Sequence, residues 1–189
     1  TNANSATSTV TGLNAGSSVT LRWTITNGAC SNFDEVVLTN SATPPVAAAG
    51  ADQTLCNTSI FVLSANAATP GTGVWTIEGA ANGAVITNVN SPTTTVTGLN
   101  AGSSVTLRWT IGNGSCSTFD EVVLTNSALP TVASAGADQE QCGSGDFVLS
   151  ANTPVTGFGE WSIIGAANGA VITNANSATS TVTGLNAGS

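Results

Sequence analysis

The chain has 189 residues, two basic against ten acidic side chains, no histidine, and a formal net charge of −8. Because phosphate binding needs clustered lysine and arginine, this composition argues against a nucleic-acid partner and against an anionic membrane surface. No apolar run approaches the ~18 residues typical of a spanning helix, so no membrane span is predicted.

The sequence repeats itself. Thr9–Ile25 recurs letter for letter at Thr95–Ile111, and the same stretch begins a third time at Thr181. When the chain is shifted by 86 residues against itself, 77 of the 103 aligned pairs are identical. An internal period of this kind indicates a tandem array of one small domain. The predicted divisions are the C-terminal half of a repeat at 1–44, a complete repeat at 45–130, and the N-terminal part of the next at 131–189.

Three strands and two turns are predicted in the first segment. Thr7–Leu13 alternates β-branched and small residues and is predicted to be a strand, followed by a turn at Asn14–Ser17. Residues 18–25 alternate with period two, Asn27-Gly28 is a turn signal, and Phe33–Thr39 is the returning strand. The predicted core-facing residues are Val19, Leu21, Trp23, Ile25, Val36 and Leu38, whereas Glu35 and Val37 are predicted to face outward.

The junction between repeats is proline-containing. Asn40–Pro45 carries two prolines, and the matching Asn126–Thr131 keeps one. Proline restricts the backbone and stops ladder pairing, so a short, stiff link is predicted, with consecutive domains arranged end to end.

Seven strands are predicted in the complete repeat, at Val46–Leu55 (broken near Gly50–Asp52), Ile60–Ala65, Val74–Glu78, Ala84–Asn88, Thr93–Leu99, Ser104–Ile111 and Phe119–Thr125. Short strands separated by turn signals, without helical periodicity, predict an all-β fold of tandem Ig-like, seven-stranded antiparallel β-sandwiches. Residues 131–189 repeat the first five strands, and no helix longer than one turn is expected. The tryptophans lie at mid-strand positions and are predicted to pack in the core rather than stack on sugars. They are Trp23, Trp75, Trp109 and Trp161, packed against residues such as Phe61, Leu63, Val105 and Leu107.

The four cysteines fall at two repeat positions, Cys30 with Cys116 and Cys56 with Cys142. Without histidine or a C-x-x-C motif, structural disulfides in an oxidising compartment are favoured over zinc. Two pairings remain open. Cys56 either bonds Cys116 within one domain, or bonds a cysteine 146 positions later across a junction. A Cys30–Cys56 bond is not expected in an extended array.

The carboxylates and the other polar residues give little indication of a metal site or a catalytic site. Asp52 with Asp120 or Glu121 is a candidate calcium site, but the D-x-D-x-D density of calcium loops is absent, and solvated or capping carboxylates are favoured. Arg108 is predicted to pair with Glu121 across neighbouring strands. With no histidine or lysine and no G-x-S-x-G motif, the chain is predicted not to be an enzyme and to need no cofactor.

Several motifs of the complete repeat resemble one known class. These are Ala49–Cys56, Phe61–Asn66, Gly73–Ile77, Gly98-Leu99 with Gly102, Leu107–Ile111 and Asn113–Cys116. They resemble the PKD-like, Ig-like tandem repeats of giant Bacteroidota surface adhesins, of which SprB-like gliding-motility adhesins are the nearest type. The resemblance implies type IX secretion, an extracellular cell-surface location, and long filaments that mediate adhesion or gliding. The sequence departs from eukaryotic-type PKD modules in lacking their W-D-F-G-D-G signature.

Two functions are therefore expected. The first is a structural stalk repeat, with neighbouring repeats and other copies in a filament as partners. The alternative is a repeated weak module that binds a polysaccharide or another extracellular surface by avidity. Differences between copies cluster at residues 54–60 and 67–78, against 140–146 and 153–164. If these stretches form one exposed patch, that patch is where a ligand site would diversify.

Overall fold

The computed structural model describes residues 2–58, 60–143 and 145–186. In these residues the chain is all-β, with short strands in several small sheets and no helix. It divides into two compact units, residues 1–126 and 127–189. The predicted domain boundaries stay predictions.

The first part of the chain is a long hairpin. β1 (Ser17–Asn27) pairs antiparallel with β2 (Cys30–Asn40), and Gly28 takes a φ of 63° in the tight turn between them. Glycine adopts this left-handed conformation without steric cost. The strand predicted at Thr7–Leu13 is wrong, because these residues form no ladder. The Leu13 carbonyl accepts a hydrogen bond from Asn40 Nδ2, but residues 7–13 belong to no sheet of the described chain.

Residues 53–127 form seven strands, β3 (Gln53–Cys56), β4 (Ile60–Val62), β5 (Thr72–Glu78), β6 (Val85–Ile86), β7 (Thr95–Thr97), β8 (Ser103–Asn113) and β9 (Cys116–Ser127). One sheet has the order β3-β9-β8-β5 and the other has the order β4-β7-β6. Every strand predicted for this repeat is present, although β3, β4, β6 and β7 are shorter than predicted. The two sheets contribute to one core, which is consistent with a β-sandwich.

The first strand departs from the antiparallel prediction. Ala49 N–H donates to Asp120 Oδ2 at 2.8 Å, and Val123 N–H donates to Asp52 Oδ1 at 2.8 Å. The contacts advance in the same direction along both segments, so residues 49–56 run parallel to β9. Alternation of side chains along a strand does not reveal the direction of its neighbour, which is why the sequence pattern missed this.

The core is centred on a pair of tryptophans. The rings of Trp75 on β5 and Trp109 on β8 lie 5.1 Å apart at 42°, and Trp75 Nε1 donates to the Ser91 carbonyl at 3.0 Å. Gly73 lies directly beneath the Trp109 indole, where a Cβ would collide with the ring. The buried hydrophobic residues are Ala47, Ala49, Phe61, Leu63, Trp75, Ala84, Val96, Leu99, Val105, Leu107, Trp109, Ile111, Val122 and Leu124.

The second unit contains one small sheet. β10 (Phe147–Val148), β11 (Val171–Ile172) and β12 (Thr181–Thr183) take the order β10-β12-β11. The prediction of five strands is wrong here, because residues 139–142 and 158–164 form no strand. Their counterparts β3 and β5 pair only with β9 and β8, and the described residues of the second unit include no such hairpin.

Candidate interaction surfaces

The carboxylates of the candidate calcium site accept hydrogen bonds from the main chain. Asp52 and Asp120 each accept a hydrogen bond from a main-chain N–H on the neighbouring segment, at 2.8 Å in both cases. Across the described ranges, no group of three or more histidine, cysteine, aspartate or glutamate residues could hold a metal ion. The two carboxylates therefore contribute to joining β9 and the segment before β3.

The predicted Arg108–Glu121 pair is present on the outer face of β8 and β9. Arg108 Nη2 lies 2.7 Å from Glu121 Oε1 and 3.5 Å from Glu78 Oε2, and its guanidinium carbon is 4.5 Å from the Phe119 ring centroid. The contact with Glu78 was not predicted. It arises because the register of β5 and β8 places Thr76 opposite Arg108 and brings Glu78 one diagonal step away.

All four cysteines are free thiols in the structure, so the predicted disulfides are not present. The within-domain bond is also excluded by geometry. Thr58, two residues after Cys56, donates its N–H to Asn126 Oδ1 at one end of β9, whereas Cys116 begins β9 at the other end. Ten strand residues at ~3.3 Å each separate these ends by roughly 33 Å. A disulfide requires Cα atoms within about 7 Å, so Cys56 and Cys116 are not partners.

The β8–β9 turn holds the chain that leads into the complete repeat. Asn113 Nδ2 donates to the Ala42 carbonyl at 2.9 Å, and Gly114 lies against the Ser41 side chain. Further along, Thr118 Oγ1 donates to the Pro45 carbonyl at 2.8 Å. The tip of this hairpin is therefore bound to the linker that leaves the preceding hairpin β1–β2.

The two variable stretches do not form one patch. Residues 54–60 lie at the Asn126 end of β9, as the bond from Thr58 shows. Residues 67–78 begin at the opposite end of the sheet, where Thr72 is the register partner of Gly112 next to the hairpin turn. The variable residues therefore lie along the two edge strands of this sheet, β3 and β5, and in the loops beside them, rather than around one ligand site.

The second unit carries an open cleft where the complete repeat is closed. Cavities of about 1060 Å³ and about 250 Å³ open on this unit, and Trp161 lines both. Trp161 keeps the bond seen for its counterpart Trp75, donating from Nε1 to the Ser177 carbonyl at 2.9 Å. It is nevertheless half-buried, so it does not lie in a closed core as predicted. The half-buried apolar residues around it are Phe147, Leu149, Val182 and Leu185.

The β1–β2 hairpin exposes the face that β8–β9 buries. Trp23 is 42% exposed and Ile25 is 65% exposed, whereas their counterparts Trp109 and Ile111 are fully buried. Trp23 was predicted to be a core residue, and the structure corrects this because no described sheet covers that face. An exposed apolar face of this kind indicates an interaction surface.

No protein-family model matches the sequence, and no curated protein matches it. Among solved structures, the chain is similar to an endo-fucoidan hydrolase from glycoside hydrolase family 107, with 14% identity and a TM-score of 0.30. The match covers 91% of this chain and 30% of that chain. A TM-score this low assigns neither fold nor activity to the present chain. The described residues contain no helix of the length and hydrophobicity that a membrane crossing requires.

Proposed function

We propose that the 86-residue unit is an Ig-like, PKD-like domain and that copies of it form the stalk of a long adhesin filament. The filament would be secreted and displayed on the cell surface, where the array serves adhesion or gliding. The strand order supports the fold. β5-β8-β9 and β4-β7-β6 correspond to the CFG and BED sheets of an Ig sandwich, with β3 added beside the last strand.

The observation that carries the stalk role is the bound linker at the start of the complete repeat. Asn113 holds the Ala42 carbonyl, and Thr118 holds the Pro45 carbonyl, so the linker is fixed at two points rather than free. The first of these contacts can recur along the array, because Asn27 matches Asn113 and Ala128 matches Ala42, whereas Asn32 and Thr131 replace Thr118 and Pro45. A joint of this kind, repeated, favours a stiff array of beads.

The length of the domain sets the expected extension per repeat. β8 has 11 residues, which at ~3.3 Å each span roughly 36 Å. Adding the turn and linker, we expect each repeat to lengthen the filament by about 35–45 Å, because strands of this length set the long axis of the domain.

The test is small-angle scattering on polypeptides with two, four and six tandem copies of residues 45–130. The maximum dimension should grow linearly by the stated increment for each copy. Asn113→Ala in every copy should shorten the array by loosening its joints, whereas Asn90→Ala, at an exposed loop position, should not. Growth with the square root of the number of copies would indicate flexible beads and would reject the stalk role.

The alternative, a repeated weak surface-binding module, has one observation in its favour. Phe119 is 62% exposed in the complete repeat, beside Arg108, and Phe33 has the same position in the preceding hairpin. Exposed aromatic rings at a constant spacing are able to contact sugars weakly and repeatedly. A glycan array probed with two and six copies distinguishes the roles. Binding that increases with copy number and is lost in Phe119→Ala supports the module, and no binding by either polypeptide argues against it.

A further inference from the structure

The hairpin tip that binds the linker contains an Asn-Gly dipeptide. Asn113 ends β8, and Gly114 begins the turn with a φ of 60°. Gly114 is exposed, and its main-chain N–H makes no hydrogen bond within the described part of the chain. A main-chain nitrogen that is free in this way is able to attack the side-chain amide of the preceding asparagine. Glycine favours the attack, because it places no side chain beside the nitrogen.

The side chain of Asn113 is the donor of the linker contact. Its Nδ2 donates to the Ala42 carbonyl at 2.9 Å in a part-buried environment, and Pro44, two residues further along the linker, is buried. Ser41 lies so close to Gly114 that a Cβ on this glycine would overlap the Ser41 side chain. The nitrogen that deamidation releases is therefore the same atom that holds the linker.

We propose that Asn113 is a deamidation site and that the loss of its amide weakens the docking of the linker irreversibly. The main-chain nitrogen of Gly114 gives its proton to water and attacks Asn113 Cγ. The Cγ–Nδ2 bond breaks, Nδ2 leaves as ammonia, and a succinimide ring closes. Water then opens this ring at either carbonyl and yields aspartate or isoaspartate. The net reaction hydrolyses one amide to a carboxylate and ammonium, without an oxidant or a reductant.

The product of this reaction is unable to restore the contact. A carboxylate accepts hydrogen bonds and does not donate them, so the Ala42 carbonyl would face a negative oxygen where it now faces an N–H. Isoaspartate also lengthens the main chain by a methylene, which disturbs the turn where Asn113 pairs with Cys116. The reaction does not reverse, because ammonia leaves into solvent. The proposal concerns this contact alone and does not require the stalk role.

The docked linker restrains the reaction. While Nδ2 of Asn113 is bonded to the Ala42 carbonyl, the amide does not turn freely toward the attacking nitrogen, and such a bond slows the reaction by about 2- to 10-fold. Thr118 is the second anchor, because its Oγ1 donates to the Pro45 carbonyl at 2.8 Å and accepts from Ala47 N–H at 3.0 Å. Weakening the second anchor should therefore release the amide more often.

The dipeptide Asn82-Gly83 is an internal reference in the same chain. Asn82 Nδ2 donates to the Ser104 carbonyl at 2.7 Å, and the Asn82 carbonyl accepts from Asn100 N–H at 2.9 Å. Gly83 lies against the Gly98 carbonyl. Since this dipeptide is held on both sides by contacts within the domain, its deamidation should be slow and should not respond to the linker.

Peptide mapping by mass spectrometry, on the full chain aged in mildly alkaline buffer, measures deamidation at each asparagine. Asn113 should react faster than Asn82. Thr118→Val removes the hydroxyl of the second anchor and should raise the rate at Asn113 by about 2- to 10-fold without changing the rate at Asn82. Thr118→Ser keeps the hydroxyl and should behave as the wild type. Equal rates at Asn113 and Asn82, or a rate at Asn113 that is the same in Thr118→Val and the wild type, overturn the proposal.

Limited proteolysis tests the structural consequence. A protease that cleaves after small residues should cut at Ala42 at least about 5-fold faster in the Asn113→Asp chain than in the wild type, because the linker is docked less often. Asn90→Asp makes the same change of charge at an exposed loop position and should be cut at the wild-type rate. Aged wild-type chain that has reacted at Asn113, separated by its added charge, provides the same readout without a substitution. A reacted chain that is cut no faster than the unreacted chain overturns the proposal.

Discussion

Gly73→Val is expected to destabilise the complete repeat, because the new side chain would occupy the space of the Trp109 ring. A Cβ at this position meets the indole atoms Cε2, Cζ2 and Cη2, and these belong to a fully buried ring. The ring cannot swing away, because it packs 5.1 Å from the ring of Trp75. Overpacking of a close-packed interior costs about 1–3 kcal/mol. Valine suits a strand better than glycine and recovers up to about 1 kcal/mol of that.

Because the added Cβ would overlap the ring atoms, the cost lies at the upper end of that range, so the net loss is about 2 kcal/mol. For a domain of 60–100 residues this lowers the melting temperature by roughly 8–16 °C. The assay is thermal unfolding followed by circular dichroism in the tryptophan region, since the close Trp75–Trp109 pair gives a signal that belongs to this domain. Gly159→Val is the matched control, because a Cβ added at Gly159 has no atom within 4 Å.

Equal melting temperatures for Gly73→Val and Gly159→Val would refute the reasoning. Such a result would mean that the β3-β9-β8-β5 sheet adjusts to accommodate the added side chain. The tryptophan pair would then not limit the packing of this sheet. An intermediate result is informative about the ring pair. The Gly73→Val variant could melt at a lower temperature and also lose the circular dichroism signal of the Trp75–Trp109 pair before it unfolds. That outcome would show that the Trp109 ring has moved away from Trp75 to make room for the valine.

Two further predictions concern single side chains. Asn126→Ala should lower the free energy of unfolding by about 2–3 kcal/mol, because the buried amide bonds both Thr58 and the Leu99 carbonyl, and each orphaned interior group costs about 1–3 kcal/mol. Asn40, the exposed counterpart of Asn126, serves as the control. Asn40→Ala should lower the free energy of unfolding by less than about 1 kcal/mol, and urea titration of both variants measures the difference. Arg108→Ala should cost at most about 1 kcal/mol, and that cost should shrink in high salt, because the ion pairs are about one-third exposed. A salt-independent loss at Arg108 would instead indicate lost packing of its stem.

The features that the sequence predicted are those encoded by local alternation. Residues 18–25 and their counterparts in β8 alternate apolar and polar side chains, and both become long strands in the same register. The Arg108–Glu121 pair followed from that register. The third partner, Glu78, lies on a strand whose order in the sheet was not predictable from alternation alone. The parallel course of residues 49–56 was missed for the same reason.

The open surfaces were missed because burial depends on a partner and not on the residue. Trp23 and Trp109 lie in identical local sequences, Leu-Arg-Trp-Thr-Ile, and each is opposite an aspartate within its own hairpin. One is 42% exposed and the other is fully buried. Periodicity identified the apolar face correctly in both copies. It carried no information about whether a second sheet lies against that face.

The tripeptide Thr-Val-Thr occurs three times in the chain. Its three copies allow the effect of β-propensity to be distinguished from the effect of strand pairing. At Thr95–Thr97 it is β7, lying between β4 and β6, and at Thr181–Thr183 it is β12, lying between β10 and β11. At residues 9–11 the same three residues form no strand, and Val10 is 45% exposed. Since the side chains are identical, β-propensity is equal in the three copies, and the difference comes from the ladder partners. By the same reasoning, residues 158–164, the counterparts of β5, form no strand because the described residues of the second unit offer them no ladder partner.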